Sequence, residues 1–263
     1  MATLTQGNPL LSDSRVAKVR DDIGVGSSTM TVRGTITATV LLLIIFCAAG
    51  AFGWQAAYDS VTPVVNNVTG EVVGYQGSMP GWIYIGMLVG VIAGFATAFV
   101  PRIAMFTGPV YAVGYGVMVG AISGFYEMEF EGIVSQAILA TLGVFVAVLV
   151  AYATGLIKVT GKFVMTIMLA MAGIFVMYLV AWIATIFGAD LFFWNEPTPL
   201  GIGVSIIIAI VAALSLAIDF AFIDRGSQAG LPKQMEWYGA FALLSGLVWL
   251  YINMLRLLSL LRQ

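Results

Sequence analysis

A single ionisable residue interrupts an apolar run of this chain. Asp219 stands in Ala217-Ile218-Asp219-Phe220-Ala221. A charged aspartate at mid-membrane costs ~2.5 to 3.5 kcal/mol on insertion scales, so it must face protein and either find a partner or hold a proton. Loss of hydration favours the neutral acid and a nearby cation favours the carboxylate, which makes the group a candidate proton-sensitive switch. Arg102, in a connection on the same side, is the natural counter-ion if the helix continues through Asp224. If the helix instead ends near Asp224-Arg225, Asp219 reaches water at the helix end and carries no function. A second group of acids, Glu127, Glu129 and Glu131, shares one connection, where it could concentrate cations. A solvated acidic loop is the plainer reading, and the sequence defines no set of oxygens that would hold calcium, so any metal ligand is unknown.

Other chemistries lack their residues. With no histidine in the chain, haem ligation by histidine, histidine metal sites and an imidazole proton shuttle are excluded. Lys18, Lys158, Lys162 and Lys233 all fall in the N-terminal segment or in connections, which excludes a retinal-type linkage inside a helix. No phosphate-binding glycine loop occurs, and no nucleophile has an adjacent base. Neither catalysis nor a cofactor is expected. The basic residues are too scattered for a nucleic-acid surface, and the lone Cys47 rules out an intrachain disulfide framework.

The elements that must position Asp219 follow from composition. Of 263 residues, 60% are hydrophobic and 9% charged, with a mean hydropathy of +1.01, which no soluble surface accommodates. Seven apolar runs nearly use up the chain, at about 34–57, 81–100, 108–126, 132–155, 163–188, 200–223 and 237–258. Each is roughly 20 residues, the length a hydrocarbon core of ~30 Å asks of a helix. The expectation is an all-α polytopic membrane protein whose residues 34–263 form one seven-helix domain in the lipid bilayer, after a polar cytoplasmic arm of residues 1–33. The first run is too long, and too much polar chain precedes it, for a cleavable signal. Between the first two runs, Pro63, Asn66, Asn67 and Gly70 lie among short β-branched stretches and predict a hairpin.

Charge orients this path. Arg15, Lys18, Arg20 and Arg33 precede the first run, Arg102 follows the second, Lys158 and Lys162 the fourth, and Arg225 and Lys233 the sixth. The gaps between carry only acids: Asp59 and Glu71, then the Glu127 group, then Asp190 and Glu196. Cationic loops are retained inside, which predicts a cytoplasmic N-terminus. The last run strains the rule, because seven full spans put Arg256 and Arg262 outside, whereas a re-entrant segment would return them. Its length is enough to cross at ~1.5 Å per residue, which favours seven spans and an external C-terminus.

Lipid removes the hydrophobic drive between helices and leaves close backbone approach as the main attraction. Gly86, Gly90, Gly94 and Ala98 make one stripe on the second run, and Gly116, Gly120 and Gly124 make another on the third. Two sustained stripes on adjacent helices predict a tight contact.

The residues around and after Asp219 carry a resemblance. An Asp near the end of the sixth run is followed by Gly230-Leu231-Pro232-Lys233, Glu236-Trp237 and Trp249-Leu250-Tyr251-Ile252-Asn253-Met254-Leu255-Arg256-Leu257-Leu258. Together with Pro109-Val110-Tyr111-Ala112, Gly120-Ala121-Ile122-Ser123 and Thr154-Gly155-Leu156-Ile157-Lys158, this stretch resembles the Bax inhibitor-1 family in its YccA-like bacterial branch, over roughly residues 100–260. The resemblance implies six helices around a central seventh and a bacterial plasma membrane. It also implies a pH-dependent calcium leak, restraint of cell death in eukaryotes and, in bacteria, modulation of a membrane-bound protease. The family's leak pairs aspartates on helices six and seven with an arginine latch. Asp219 matches the first acid and Arg102 the latch, but Leu250 occupies the second acid's place, and Asn253, one turn on, is the nearest polar group. An Asn cannot titrate, so a proton-sharing dyad is absent. Two functions remain: a pH-sensitive leak for calcium or protons gated by protonation of Asp219, or a non-conducting regulator that binds a membrane protease or another membrane complex.

Overall fold

A computed structural model describes residues 29–65, 72–187 and 198–263. Among these the chain forms seven α-helices: α1 (Val32–Asp59), α2 (Gly81–Phe99), α3 (Ala104–Glu129), α4 (Ile133–Ala153), α5 (Gly161–Ile186), α6 (Pro199–Gln228) and α7 (Met235–Arg262). All seven are long and apolar enough to cross a membrane, so the protein is an all-α integral membrane protein. Between α1 and α2 stands the predicted hairpin, β1 (Val61–Val65) against β2 (Val72–Gly77), antiparallel with an irregularity at Val64/Val65. Its turn, with Asn66, Asn67, Gly70 and Glu71, lies outside the described residues, as do Arg15, Lys18, Arg20, Asp190 and Glu196.

Helix ends follow local chemistry. Thr31, Thr160 and Thr198 cap α1, α5 and α6 by accepting from the backbone N–H of Gly34, Phe163 and Gly201, and Pro199 opens α6 where its missing donor costs nothing. Two boundaries differ from the sequence reading. A 3-10 turn at Pro101–Ile103 lets α3 begin at Ala104, so Pro109 sits inside the helix, removing one ladder donor without stopping it. Helix α6 runs on to Gln228, because a helix can extend past the hydrocarbon where hydropathy has already fallen.

Helix α7 is the hub. It packs against α1, α3, α4 and α6, and Phe241, Leu244, Val248, Leu250 and Leu255 are buried around it. By contrast α5 packs mainly on α6 and leaves Met165, Leu169, Phe175 and Trp182 on the outside. The most extensive contact joins α1 to α3 through glycine. A Cβ on Gly120 would overlap the Gly50 carbonyl, one on Gly53 would overlap the Val117 carbonyl, and one on Gly116 would stand 2.7 Å from the Phe46 carbonyl. The two stripes therefore do not meet each other. Gly116, Gly120 and Gly124 face α1, while Gly86 and Gly90 of α2 meet α3 at Gly114, whose added Cβ would lie 2.8 Å from the Gly90 nitrogen, and Gly94 lies on the Tyr111 ring. Gly114 lies off the four-residue stripe by half a turn, which is how α3 serves two neighbours at once.

The helix ends are stitched at both faces of the bundle. At one end Met30 N–H donates to the Leu231 carbonyl (2.7 Å), Thr29 bridges Pro232, Glu236 accepts from Thr31 N–H (3.0 Å) and Thr31 Oγ1 (2.9 Å), and Arg225 Nη2 donates to the Val159 carbonyl. This end also carries Arg33, Arg102, Lys158, Lys162 and Lys233, and is called the basic end below. Residues 29–31 are thus tied to the α6–α7 link, and α1 starts two residues before Gly34. At the opposite, acidic end Arg262 Nη1 donates to the Glu131 carbonyl (2.8 Å). Helix α7 therefore runs without a break from the basic end of the bundle to the acidic end, a length that suffices to span.

Candidate functional site

Asp219 lies about 13 Å short of the end of α6 at the helical rise, because the helix continues through Asp224 to Gln228. Its carboxylate faces the central helix at Gly246, where an added Cβ would stand 3.1 Å from Asp219 Oδ2 and 2.9 Å from Leu216. Glycine is what lets the acid lie against α7. Around it Leu216, Ala217 and Phe220 are buried. Among the described residues no cation forms an ion pair with Asp219. Arg102 is exposed on the 3-10 turn at the basic end, whereas Gly246 lies about 16 Å along α7 from its first residue. The expected Asp219–Arg102 contact is not made, because Pro101 ends α2 and leaves the arginine at the mouth.

Beyond Gly246 the same face of α7 becomes apolar and then polar again. Leu250, in the second acid's place, is fully buried. Asn253 is 2% exposed, donates through Nδ2 to the Trp249 carbonyl (2.8 Å) and accepts from Tyr178 Oη (3.5 Å). It lies roughly 10 Å along the helix from Gly246, too far to share a proton with Asp219. Tyr178 also bonds Arg256, and Arg256 borders a cavity of about 330 Å³ with Tyr126, Glu129 and Ser259. The interior therefore holds a carboxylate towards the basic end and a guanidinium towards the acidic end, with Leu250 between them.

A family model described as Bax inhibitor 1 like matches residues 8–263. The chain belongs to this family. The match extends well before the stretch of residues that carried the resemblance, so α1 and α2 belong to the family fold as well. No curated protein matches the chain.

In this Bax inhibitor-1-like protein the remaining expected site residues scatter. Asp224, on a different face of α6, accepts from Tyr152 Oη (3.3 Å) and Gln228 Nε2 (2.9 Å) and does not join Asp219. Glu127 accepts from the N–H groups of Gly132 (2.7 Å) and Val134 (3.0 Å), capping α4 in a structural role. Glu129 faces the Arg256 cavity, and Glu131 contributes its backbone carbonyl to Arg262. Among the described residues no three acids or thiols gather to hold a metal ion. Sequence reasoning missed two groups. Glu236, 6% exposed, bonds a residue 205 positions away, for which no local signal exists. Arg256 was legible: it lies one turn past Asn253 inside an apolar run, yet was assigned to the tail.

Proposed function

We propose that this protein is a pH-sensitive leak for small cations, controlled where Asp219 meets Gly246 of the central helix. The observation that supports it is the carboxylate held at the α6–α7 contact without an ion pair. A protonated Asp219 can stay dry against Gly246. Once ionised, it requires hydration or a counter-ion, so water is drawn between α6 and α7 and the contact loosens. The leak therefore rises with pH, opposite in sign to a latch released by protonation. The donor set suits protons or monovalent cations better than calcium. Calcium takes 6–8 oxygens, and the Arg256 charge repels a divalent ion twice as strongly as a monovalent one at the same place. Protein in liposomes loaded with pH and calcium dyes should show proton flux that increases with pH. Asp219→Asn, which fixes the neutral state, should be low and flat across pH; an unaltered pH dependence in that variant defeats the mechanism.

A second reading is a non-conducting regulator that binds a membrane protease or other membrane complex. The tie between Thr29–Thr31 and the α6–α7 link favours it, since it joins the start of α1 to the two helices that meet at Asp219. Deleting residues 1–28 should then abolish partner binding and leave flux intact. The excess of Arg and Lys at the basic end supports a cytoplasmic N-terminus and an external C-terminus, and the resemblance to the family's bacterial branch supports a bacterial plasma membrane. A C-terminal reporter active only outside tests that orientation.

A further inference from the structure

Helices α1 and α4 stand on either side of α7 and leave between them an outward-facing cleft of about 700 Å³. Ile36, Val40 and Leu43 of α1 form one wall, Phe145 and Leu149 of α4 the other, and Leu247 of α7 the floor. From Val32 to Leu43 it runs ~16 Å, about the depth of one leaflet of a ~30 Å hydrocarbon core. The lining is apolar apart from Thr39, whose hydroxyl donates to the Thr35 carbonyl (2.8 Å), and apart from the basic end, where Tyr152 and Asp224 close the cleft. The Asp224 carboxylate already accepts one bond at each oxygen, from Tyr152 and from Gln228. Two carboxylate oxygens offer about four acceptor sites, so capacity for a further donor remains. Arg33, exposed in the first turn of α1, is rotated about 100° from Val32 and so lies on the same edge of the helix as Val40. A cleft one acyl chain deep thus ends in an anionic acceptor, with a cation on its rim.

We propose that this cleft binds one acyl chain of a zwitterionic phospholipid that carries a primary amine, with the ammonium on Asp224 and the phosphate towards Arg33. A primary ammonium brings N–H donors for a charge-assisted bond. A quaternary ammonium has none, and a headgroup without an amine would set its phosphate against the carboxylate. An apolar helix from another protein would fill the walls but bring no donor to the acceptor sites that Tyr152 and Gln228 leave open on the Asp224 carboxylate. The site does not depend on conduction.

The full-length protein, reconstituted in nanodiscs with equal amounts of phosphatidylethanolamine, phosphatidylcholine and phosphatidylglycerol, would be released and its retained lipid weighed by native mass spectrometry. Phosphatidylethanolamine should be enriched about tenfold over the other two, the ratio one charge-assisted hydrogen bond supplies. Asp224→Asn should bring the three towards equal retention. Leu149→Trp, which narrows the cleft from α4, should lower total retained lipid while keeping the same helical circular dichroism. Equal retention of the three lipids by the wild type, preference for phosphatidylglycerol, an undiminished preference in Asp224→Asn, or a bound polypeptide in place of lipid would each overturn the assignment.

Discussion

The α1–α2–α3 side of the bundle and the α4–α5–α6 side are built on different rules. On the first, glycines bring backbones into direct contact, so that side chains at Gly53, Gly114 or Gly120 would run into a neighbouring carbonyl. On the second, Gly143, Gly161, Gly173 and Gly203 have nothing within reach of an added Cβ, and α5 packs mainly on α6, reaching α7 through Tyr178. Two ionisable interior groups lie away from the seam, while a third, Glu236, bonds Thr31 at the start of α1. Asp219 belongs to α6, and Arg256 is held by Tyr178 of α5; neither touches the glycine seam. Close backbone packing leaves no room for a polar side chain or its water, so groups that must hydrate or change charge sit where helices are held by side chains. On the proposed mechanism the seam is the scaffold and the looser side is the part that responds.

The strongest way to break this contrast is to fill the seam. Gly120→Val places a branched side chain onto the Gly50 carbonyl, and neither backbone can retreat without parting α1 from α3 over its length. Overpacking of this kind costs about 3 kcal/mol at the upper end of the usual range, and more where backbone is the obstacle. The expected outcome is loss of folded protein in bicelles, read by reversible unfolding. Stability close to wild type would mean that the seam is not what holds the scaffold.

A smaller effect is expected from charging the looser side. Leu250→Asp introduces the second acid that the resemblance leads one to expect, one turn from Gly246 and so on the same face of α7. A buried charge at this depth costs ~2.5 kcal/mol, relieved if the new carboxyl shares a proton with Asp219. Unfolding should therefore show a destabilisation that shrinks as pH falls, since protonation removes the charge, and whose pH dependence changes in an Asp219→Asn background; the same pH dependence in both backgrounds would place residue 250 away from Asp219. If the variant passes more calcium than the wild type in the same liposome assay, the missing acid is what limits calcium in the proposed leak.

How far the sequence carried this picture depends on the range of each signal. Span number, the hairpin and the glycine stripes are local patterns, and hydropathy or four-residue spacing reveals them. Which face meets which helix is not local: Gly116, Gly120 and Gly124 look alike whether they pack on α2 or α1, and the off-stripe Gly114 decides the matter by meeting Gly86 and Gly90. Asp219 was recognisable by its cost in lipid. Its neighbour was misjudged, since Arg102 shares its side of the membrane but not its depth, and hydropathy reports side better than depth. Glu236 shows the limit most plainly, being buried by a bond to Thr31 at the far end of the chain.

The smallest effect provides the sharpest control. Gly173→Ala adds to the exposed surface of α5 a methyl group that meets no protein atom, so the only expected consequence is the loss of glycine's backbone freedom. In a helix interior that difference is roughly 0.5–1 kcal/mol in favour of alanine, which should appear as a slight gain in unfolding stability with flux and its pH dependence unchanged. Paired with Gly120→Val it asks whether glycine in this bundle matters for its type or for its place. A marked destabilisation by Gly173→Ala would mean that α5 has a close neighbour in the membrane, either a second copy or a partner helix, and the looser side would then be an interface rather than a lipid-facing wall.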